Sequence, residues 1–156
     1  MASSSHSARP RVLAISSGGG HWIQLQRLLP AFEGLDLAVA TVHPPREDHA
    51  SLTRFYKIPE ATRWNRLGLL RLAAQVLYIL LRERPQFVVS TGAACGYLAL
   101  RMAKWLGARC IWVDSIANAD ELSLSGSRIG PSADLWLTQW EHLARDTGPE
   151  YHGSVL

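Results

Sequence analysis

Short apolar runs alternate along this chain with longer stretches in which leucines recur every three or four positions. Residues 12–16, Val-Leu-Ala-Ile-Ser, are bounded by turn-forming residues and predict a buried parallel strand. After Gly20 the spacing of Leu25, Leu28, Leu29 and Phe32 predicts a helix, which Pro30 should kink or end early. Residues 37–42 predict a second strand and 55–58 a short third. The longest helix is expected over residues 65–82, apolar on nearly every side and stopped by Pro85. Residues 87–90 read as another strand, followed by a small-residue loop from Gly92 to Gly96 and a helix over 97–106 that Gly107 ends. Further strands are expected at 110–113 and 134–138, the last before a polar tail.

Strands alternating with helices define an α/β protein, a Rossmann-like parallel sheet with helices on both faces. Residues 11–156 are expected to form one such domain. Residues 1–10 are Ser-rich, have no apolar core of the kind a secretory signal needs, and read as a disordered lead-in. The segment from Asp114 to Pro131 reads as a long polar loop leaving a strand end, where open α/β sheets bind ligands.

Composition narrows the classes. With 156 residues, 47% hydrophobic and 19% charged, the chain is neither disordered nor large enough for two nucleotide-binding domains. Sixteen Lys+Arg against 13 Asp+Glu gives +3, a mild cationic surplus and no nucleic-acid signature. Cys95 and Cys110 sit in or beside apolar runs with no CxxC pair, which points to inert, reduced thiols and a cytoplasmic protein.

The sharpest local feature is Ser16-Ser17-Gly18-Gly19-Gly20-His21, glycines between a first strand and a first helix. Such a loop lets backbone N–H groups approach an anion, and the helix dipole favours one there. It lacks the lysine of a Walker loop, and Ile23 stands where a dinucleotide fingerprint needs its third glycine. A tight turn requiring positive φ stays open as the other reading. His21, at a helix start, suits a neutral imidazole able to accept a proton, or simply a hydrogen-bonded one. Thr91-Gly92-Ala93-Ala94-Cys95-Gly96 repeats the arrangement at a later strand end, so both loops should face one crevice. Asp114 could be a base, a hydroxyl-binding carboxylate or an N-cap. Arg63, Trp64, Arg66, Leu67, Leu70 and Arg71 combine basic, aromatic and aliphatic groups in the pattern of a patch for an anionic membrane surface. The second half of that helix reads as buried on the sheet.

Five motifs in order carry a resemblance: Ser16 to His21; Ser90-Thr91-Gly92-Ala93-Ala94; Ile111 to Asn118; Ser123-Leu124-Ser125-Gly126; and Ala133 to Trp140. From about Arg11 to its end the chain resembles the PssD-like bacterial polysaccharide glycosyltransferase subunits, relatives of the eukaryotic Alg-type subunit. More distantly it is similar to the N-terminal half of MurG-type transferases of GT-B fold, in which two Rossmann-like domains face each other.

The resemblance implies an acceptor-binding glycosyltransferase subunit, inactive without a small PssE-like catalytic partner that holds the UDP-sugar donor. The acceptor it implies is a polyprenyl-pyrophosphate-linked sugar of exopolysaccharide or capsule assembly. Ser17, Gly18, Gly19 and Gly20 would then cradle the pyrophosphate. Thr91, Gly92, Ala93, Ala94, Asp114, Ser115 and Asn118 would line the rest of the acceptor site, and His21 would be catalytic. No cofactor is expected on this chain alone, no metal (it has no DxD-like carboxylates) and no nucleic-acid partner. The resemblance implies an N-terminal membrane span in the eukaryotic relatives, and none is expected here. Attachment, peripheral and on the inner face of the plasma membrane, would therefore rest on the basic aromatic patch. A non-catalytic scaffold recruiting a catalytic partner, and a free-standing nucleotide-binding domain, are the alternatives. Trp136 and Trp140 are candidates for the partner face, with core packing an equal reading for Trp136.

Overall fold

The computed structural model describes residues 9–44 and 54–155; of the expected lead-in, residues 1–8 lie outside the described residues. Strand β1 (Arg11–Ser16) leads through the glycine loop into helix α1 (Gly20–Leu28). Pro30 then turns the chain into a 3-10 segment, Leu29–Phe32, which ends the helix early as the missing N–H requires. Strands β2 (Asp36–Thr41) and β3 (Arg54–Lys57) follow, then helix α2 (Arg66–Glu83). Strand β4 (Phe87–Ser90), helix α3 (Ala93–Trp105) and strand β5 (Arg109–Val113) come next. The chain closes with helix α4 (Leu124–Ile129), strand β6 (Leu135–Thr138) and strand β7 (Glu150–Tyr151).

All seven strands are parallel, in the order β3-β2-β1-β4-β5-β6-β7. The chain winds outward from β1 to β3, then crosses back to place β4 on the other side of β1. That reversal makes the carboxyl ends of β1 and β4 the topological switch point, where diverging loops leave a crevice.

Alternation along β1 explains the two cores. Leu13 and Ile15 face α2 and α3, packing with Leu72, Val76, Ile79, Leu100 and Trp112. Val12 and Ala14 face the other way, against Leu25 of α1, with Trp22, Leu29 and Phe32 at the margin. The α/β reading and the helices on both faces stand as expected. Arg54 clips β3 to its neighbours, bonding Asp36 at 2.6 Å and Glu83 at 2.9 Å.

Four expectations need correction. Residues 93–96 are not loop: α3 begins at Ala93, four residues earlier than its leucine pattern suggested, because alanine and glycine carry no periodic signal. The segment from Asp114 to Pro131 holds α4, capped by Ser123, so it is not one long loop. β7 lies beyond the strand taken as last; two exposed residues offer no apolar pattern to read. The second half of α2 is not simply buried, since Leu77, Tyr78 and Leu81 are exposed while Leu72, Val76, Ile79 and Leu80 form the inner face.

Candidate functional site

Nine polar side chains are buried among the described residues: Ser16, Gln24, Thr41, Ser90, Thr91, Asp114, Ser115, Thr138 and Gln139. Eight of them end a strand or lie within two residues after one, and Gln24 lies on α1 against them. Burying polar groups is costly unless they are hydrogen-bonded, so a cluster of this kind marks where the chain departs from simple packing. It falls at the carboxyl edge of the sheet, around the switch point.

Two helices start in that crevice. Gly19, at φ 62°, is the N-cap of α1, and Gly92, at φ 137°, is the N-cap of α3; neither helix start has a side-chain cap. By contrast, α2 is capped by Asn65, whose side chain accepts from the Gly68 N–H, and α4 by Ser123 on the Gly126 N–H. Uncapped N–H groups and the positive end of the helix dipole are what an anion needs. The next residue, Ala93, also lies at positive φ, 67°, a conformation that costs a non-glycine residue energy and clusters at functional sites.

The two loops are fastened to each other. Thr91 Oγ1 donates to the His21 carbonyl at 2.7 Å, and His21 Nδ1 lies 3.0 Å from the Thr91 carbonyl oxygen. A carbonyl only accepts, so Nδ1 carries the proton. Nε2 is then the ring nitrogen left free of this contact. The ring rests on Gly92, where an added Cβ would stand 2.6 Å from it. On the other side, Thr41 Oγ1 bonds the Ser17 carbonyl at 3.3 Å, and a Cβ on Gly18 would meet His43 at 3.2 Å. Ser17, Gly18, Gly19, Gly20, His21 and Thr91 through Ala94 are thus brought together, as their spacing implied.

Asp114 stands differently. Its carboxylate accepts from Trp112 Nε1 (3.1 Å), Ser123 Oγ (2.6 Å), the Ser123 N–H (2.9 Å) and Asn118 Nδ2 (3.3 Å). Those bonds fill the four acceptor positions of a carboxylate, so Asp114 shapes the site by tying down residues 115–126. Gly126 permits this, since a Cβ there would stand 2.1 Å from Asp114 Oδ1. Ser115 Oγ accepts from Gln24 Nε2 at 3.0 Å, and Asn118 is half-buried beside the carboxylate.

Sequence reasoning missed the amides that hold this together. Gln24 Oε1 accepts from the Ile116 N–H at 3.1 Å and from Gln139 Nε2 at 2.7 Å. Gln139 Nε2 also donates to the Asp114 carbonyl at 2.9 Å, so the two side chains bridge α1, β5 and β6. A signal was available: Gln24 falls three residues after His21, on the same helix face. Trp140 serves this network as well, donating to the Ile116 carbonyl at 2.8 Å, while Trp136 packs at the margin of the larger core.

The patch residues lie at the start of α2, which leaves the same sheet edge after β3. Trp64, Leu67 and Leu70 are 81%, 80% and 67% exposed, Arg63 stacks 4.7 Å over the Trp64 ring, and Arg66 and Arg71 are exposed. No helix among the described residues is long and apolar enough to cross a membrane. No cluster of His, Cys, Asp and Glu suited to a metal ion occurs among them either. Burial pushes the Cys95 thiol up to about 12 and the Cys110 thiol up to about 11, so both are protonated at neutral pH.

A switch-point crevice with paired helix starts that lack side-chain caps is the defining feature of this Rossmann-like domain. The architecture resembles Acinetobacter baumannii MurG, with a TM-score of 0.70 at 11% identity, covering 93% of this chain and 45% of that one. It also resembles the Rickettsia bellii UDP-N-acetylglucosamine 2-epimerase, with a TM-score of 0.63 at 14% identity, over 86% of this chain and 40% of that one. At such identities the likeness concerns the fold, which corresponds to the N-terminal half of a GT-B enzyme. The family model for Alg14-like oligosaccharide biosynthesis proteins matches residues 68–155, more than half of the chain, and the chain belongs to that family. It is 35% identical over 82 residues to the UDP-N-acetylglucosamine transferase subunit ALG14 of Yarrowia lipolytica. The match takes in 48% of this chain and 38% of that protein's length.

Proposed function

We propose that this chain is the acceptor-binding, membrane-associated subunit of a two-component, UDP-sugar-dependent glycosyltransferase of the PssD-like branch. The observation that carries this is the pair of uncapped helix starts, joined through His21 and Thr91 at the switch point of a half-GT-B fold. The acceptor is a sugar on a polyprenyl pyrophosphate, extended for exopolysaccharide or capsule. Its pyrophosphate lies on Ser17, Gly18, Gly19 and Gly20 and on the N–H groups of Ala93 and Ala94. Ser115 and Asn118 border the sugar, on a loop set by Asp114. The patch from Arg63 to Arg71 rests on the inner face of the plasma membrane, where the polyprenyl tail is buried.

The donor half comes from a small PssE-like partner that holds the UDP-sugar. In the reaction the acceptor hydroxyl oxygen attacks the anomeric carbon, the bond to UDP breaks with its electron pair, and configuration inverts. The hydroxyl proton passes to His21 Nε2, a general base worth about 10²–10⁴-fold. Positioning by the two fastened loops and stabilisation of the leaving diphosphate on the partner supply the rest.

One observation favours a second reading, a scaffold without a chemical group: both the Nδ1 and the carbonyl of His21 are engaged in holding the second loop. Affinity purification of the tagged chain with mass spectrometry tests the main proposal. It predicts recovery of a similarly small protein with a UDP-binding half, and sugar transfer by the pair but by neither alone. A chain that stays alone and binds UDP-sugar in calorimetry would instead be a free-standing nucleotide-binding domain.

A further inference from the structure

A groove of about 620 Å³ opens at the opposite, amino edge of the sheet, away from the crevice. Its floor is apolar, made by Leu80, Leu81, Ala103 and Leu106, and three arginines line it: Arg11, Arg84 and Arg109. Arg11 uses one N–H on the Arg84 carbonyl at 2.9 Å. The neighbouring carboxylates are committed elsewhere. Glu83 is bonded by Arg54 and Tyr56, and Asp134 is held by Lys104 at 2.6 Å and the Cys110 N–H at 2.8 Å, although Asp134 still feels the charge of Arg109. Three guanidiniums beside apolar side chains, none of them in an ion pair among the described residues, suit an anion joined to a hydrocarbon.

The groove is continuous with another surface. Leu67, Leu70, Leu77, Tyr78 and Leu81 are exposed and fall within about 100° of arc on α2. Leu81 belongs both to this stripe and to the groove. The stripe therefore leads from the patch beside the crevice to the arginines, about 16 Å along the helix from Leu70 to Leu81. We infer that the groove takes the phosphate headgroup of an anionic membrane phospholipid, with its acyl chain over Leu81 and Leu106. This rests on the reading that α2 lies on the membrane. It adds a lipid site remote from the acceptor site, which would fix how the chain is turned on the bilayer.

The test pairs Arg84→Gln/Arg109→Gln with the wild-type chain, both residues being exposed, in two measurements. The first is flotation with vesicles of phosphatidylcholine alone or with phosphatidylglycerol. At about 1 kcal/mol for each arginine near an anionic surface, the double variant should bind the anionic vesicles about 30-fold more weakly, and the zwitterionic ones as wild type does. The second is NMR with dihexanoyl-phosphatidylglycerol below its micellar concentration, which should shift the Gly107 and Ala108 amides in wild type only. Equal binding of anionic vesicles by both chains, without amide shifts, overturns the groove and leaves the α2 reading intact. Groove shifts without vesicle binding by wild type preserve the lipid site and refute the membrane reading. Inorganic phosphate shifting the same amides as strongly would make this a free-anion site and overturn the lipid assignment.

Discussion

His21 serves two ends of one ring. Nδ1 points at the Thr91 carbonyl and holds the loops together, leaving Nε2 as the nitrogen able to take a proton. Amide side chains separate these roles, because an asparagine nitrogen can stand in for Nδ1 and a glutamine oxygen for Nε2. If Nε2 is the base, His21→Asn should keep assembly with the partner and lose about 10²-fold or more in kcat, since a general base contributes on that order. A purely positional histidine would leave His21→Asn within a few-fold of wild type and make His21→Gln the damaged variant. Asp114 invites a stability measurement instead. Asp114→Asn turns an amide N–H₂ toward groups that can only donate, Trp112 Nε1 or the Ser123 N–H, depending on its flip. Breaking charged hydrogen bonds in a buried place should cost about 3 kcal/mol, read as a lower midpoint in urea at unchanged slope. The glycine loop and His21 were legible from sequence because each residue type has a narrow set of uses. The four-donor environment of Asp114 was not, since Ser123 and Gly126 approach it only once the chain has folded back.

At the scale of elements, the contrast is between helix starts. α2 and α4 satisfy theirs with Asn65 and Ser123, side chains that sequence reading can recognise as caps, whereas α1 and α3 begin on glycine and neither has a side-chain cap, Ser90 Oγ meeting only the N–H of Gly92 itself. A ligand pyrophosphate should distinguish the two classes within one spectrum. Titration with a soluble farnesyl-pyrophosphoryl sugar is expected to shift the amides of Gly19, Gly20, His21, Ala93 and Ala94 together, at one common affinity, and to leave Gly68 and Gly126 unmoved. Uniform small shifts at all four helix starts would point to non-specific ionic strength effects and count against the cradle. Strand order also decided what could be read in advance. β1, β4 and β5 are largely apolar runs and legible to within a residue or two, while the start of α3 lies behind alanine and glycine. The amide bridge of Gln24 and Gln139 is not legible in the sequence because the two residues are 115 positions apart and meet only when β6 joins the sheet.

The whole molecule has a feature that its elements do not show singly: α2 is apolar on two opposite sides. Its inner side, Leu72, Val76, Ile79 and Leu80, is at most 1% exposed, and each such side chain contributes about 1.5–3 kcal/mol by leaving water. Its outer side repeats the leucines, which are exposed among the described residues, and exposed contiguous apolar surface marks an interface. The sequence showed a helix apolar all round, which in a soluble domain implies burial on all sides; only the sheet topology reveals that one side is left open. The two sides should respond oppositely to the same chemistry. Leu70→Asp with Leu77→Asp, at positions 67% and 40% exposed, should leave the thermal midpoint within a few degrees of wild type. Flotation with anionic vesicles should fall at least tenfold in that variant. Val76→Asp, at a position 0% exposed, should prevent folding outright, because it buries an unpaired charge in the larger core. Raising the salt should weaken wild-type binding through the arginines while sparing the leucine contribution, since screening acts on charge and not on apolar burial. Undiminished flotation of the double aspartate variant would mean that the outer stripe of α2 faces a protein, and the donor-binding partner would then be the first to examine for a matching apolar surface.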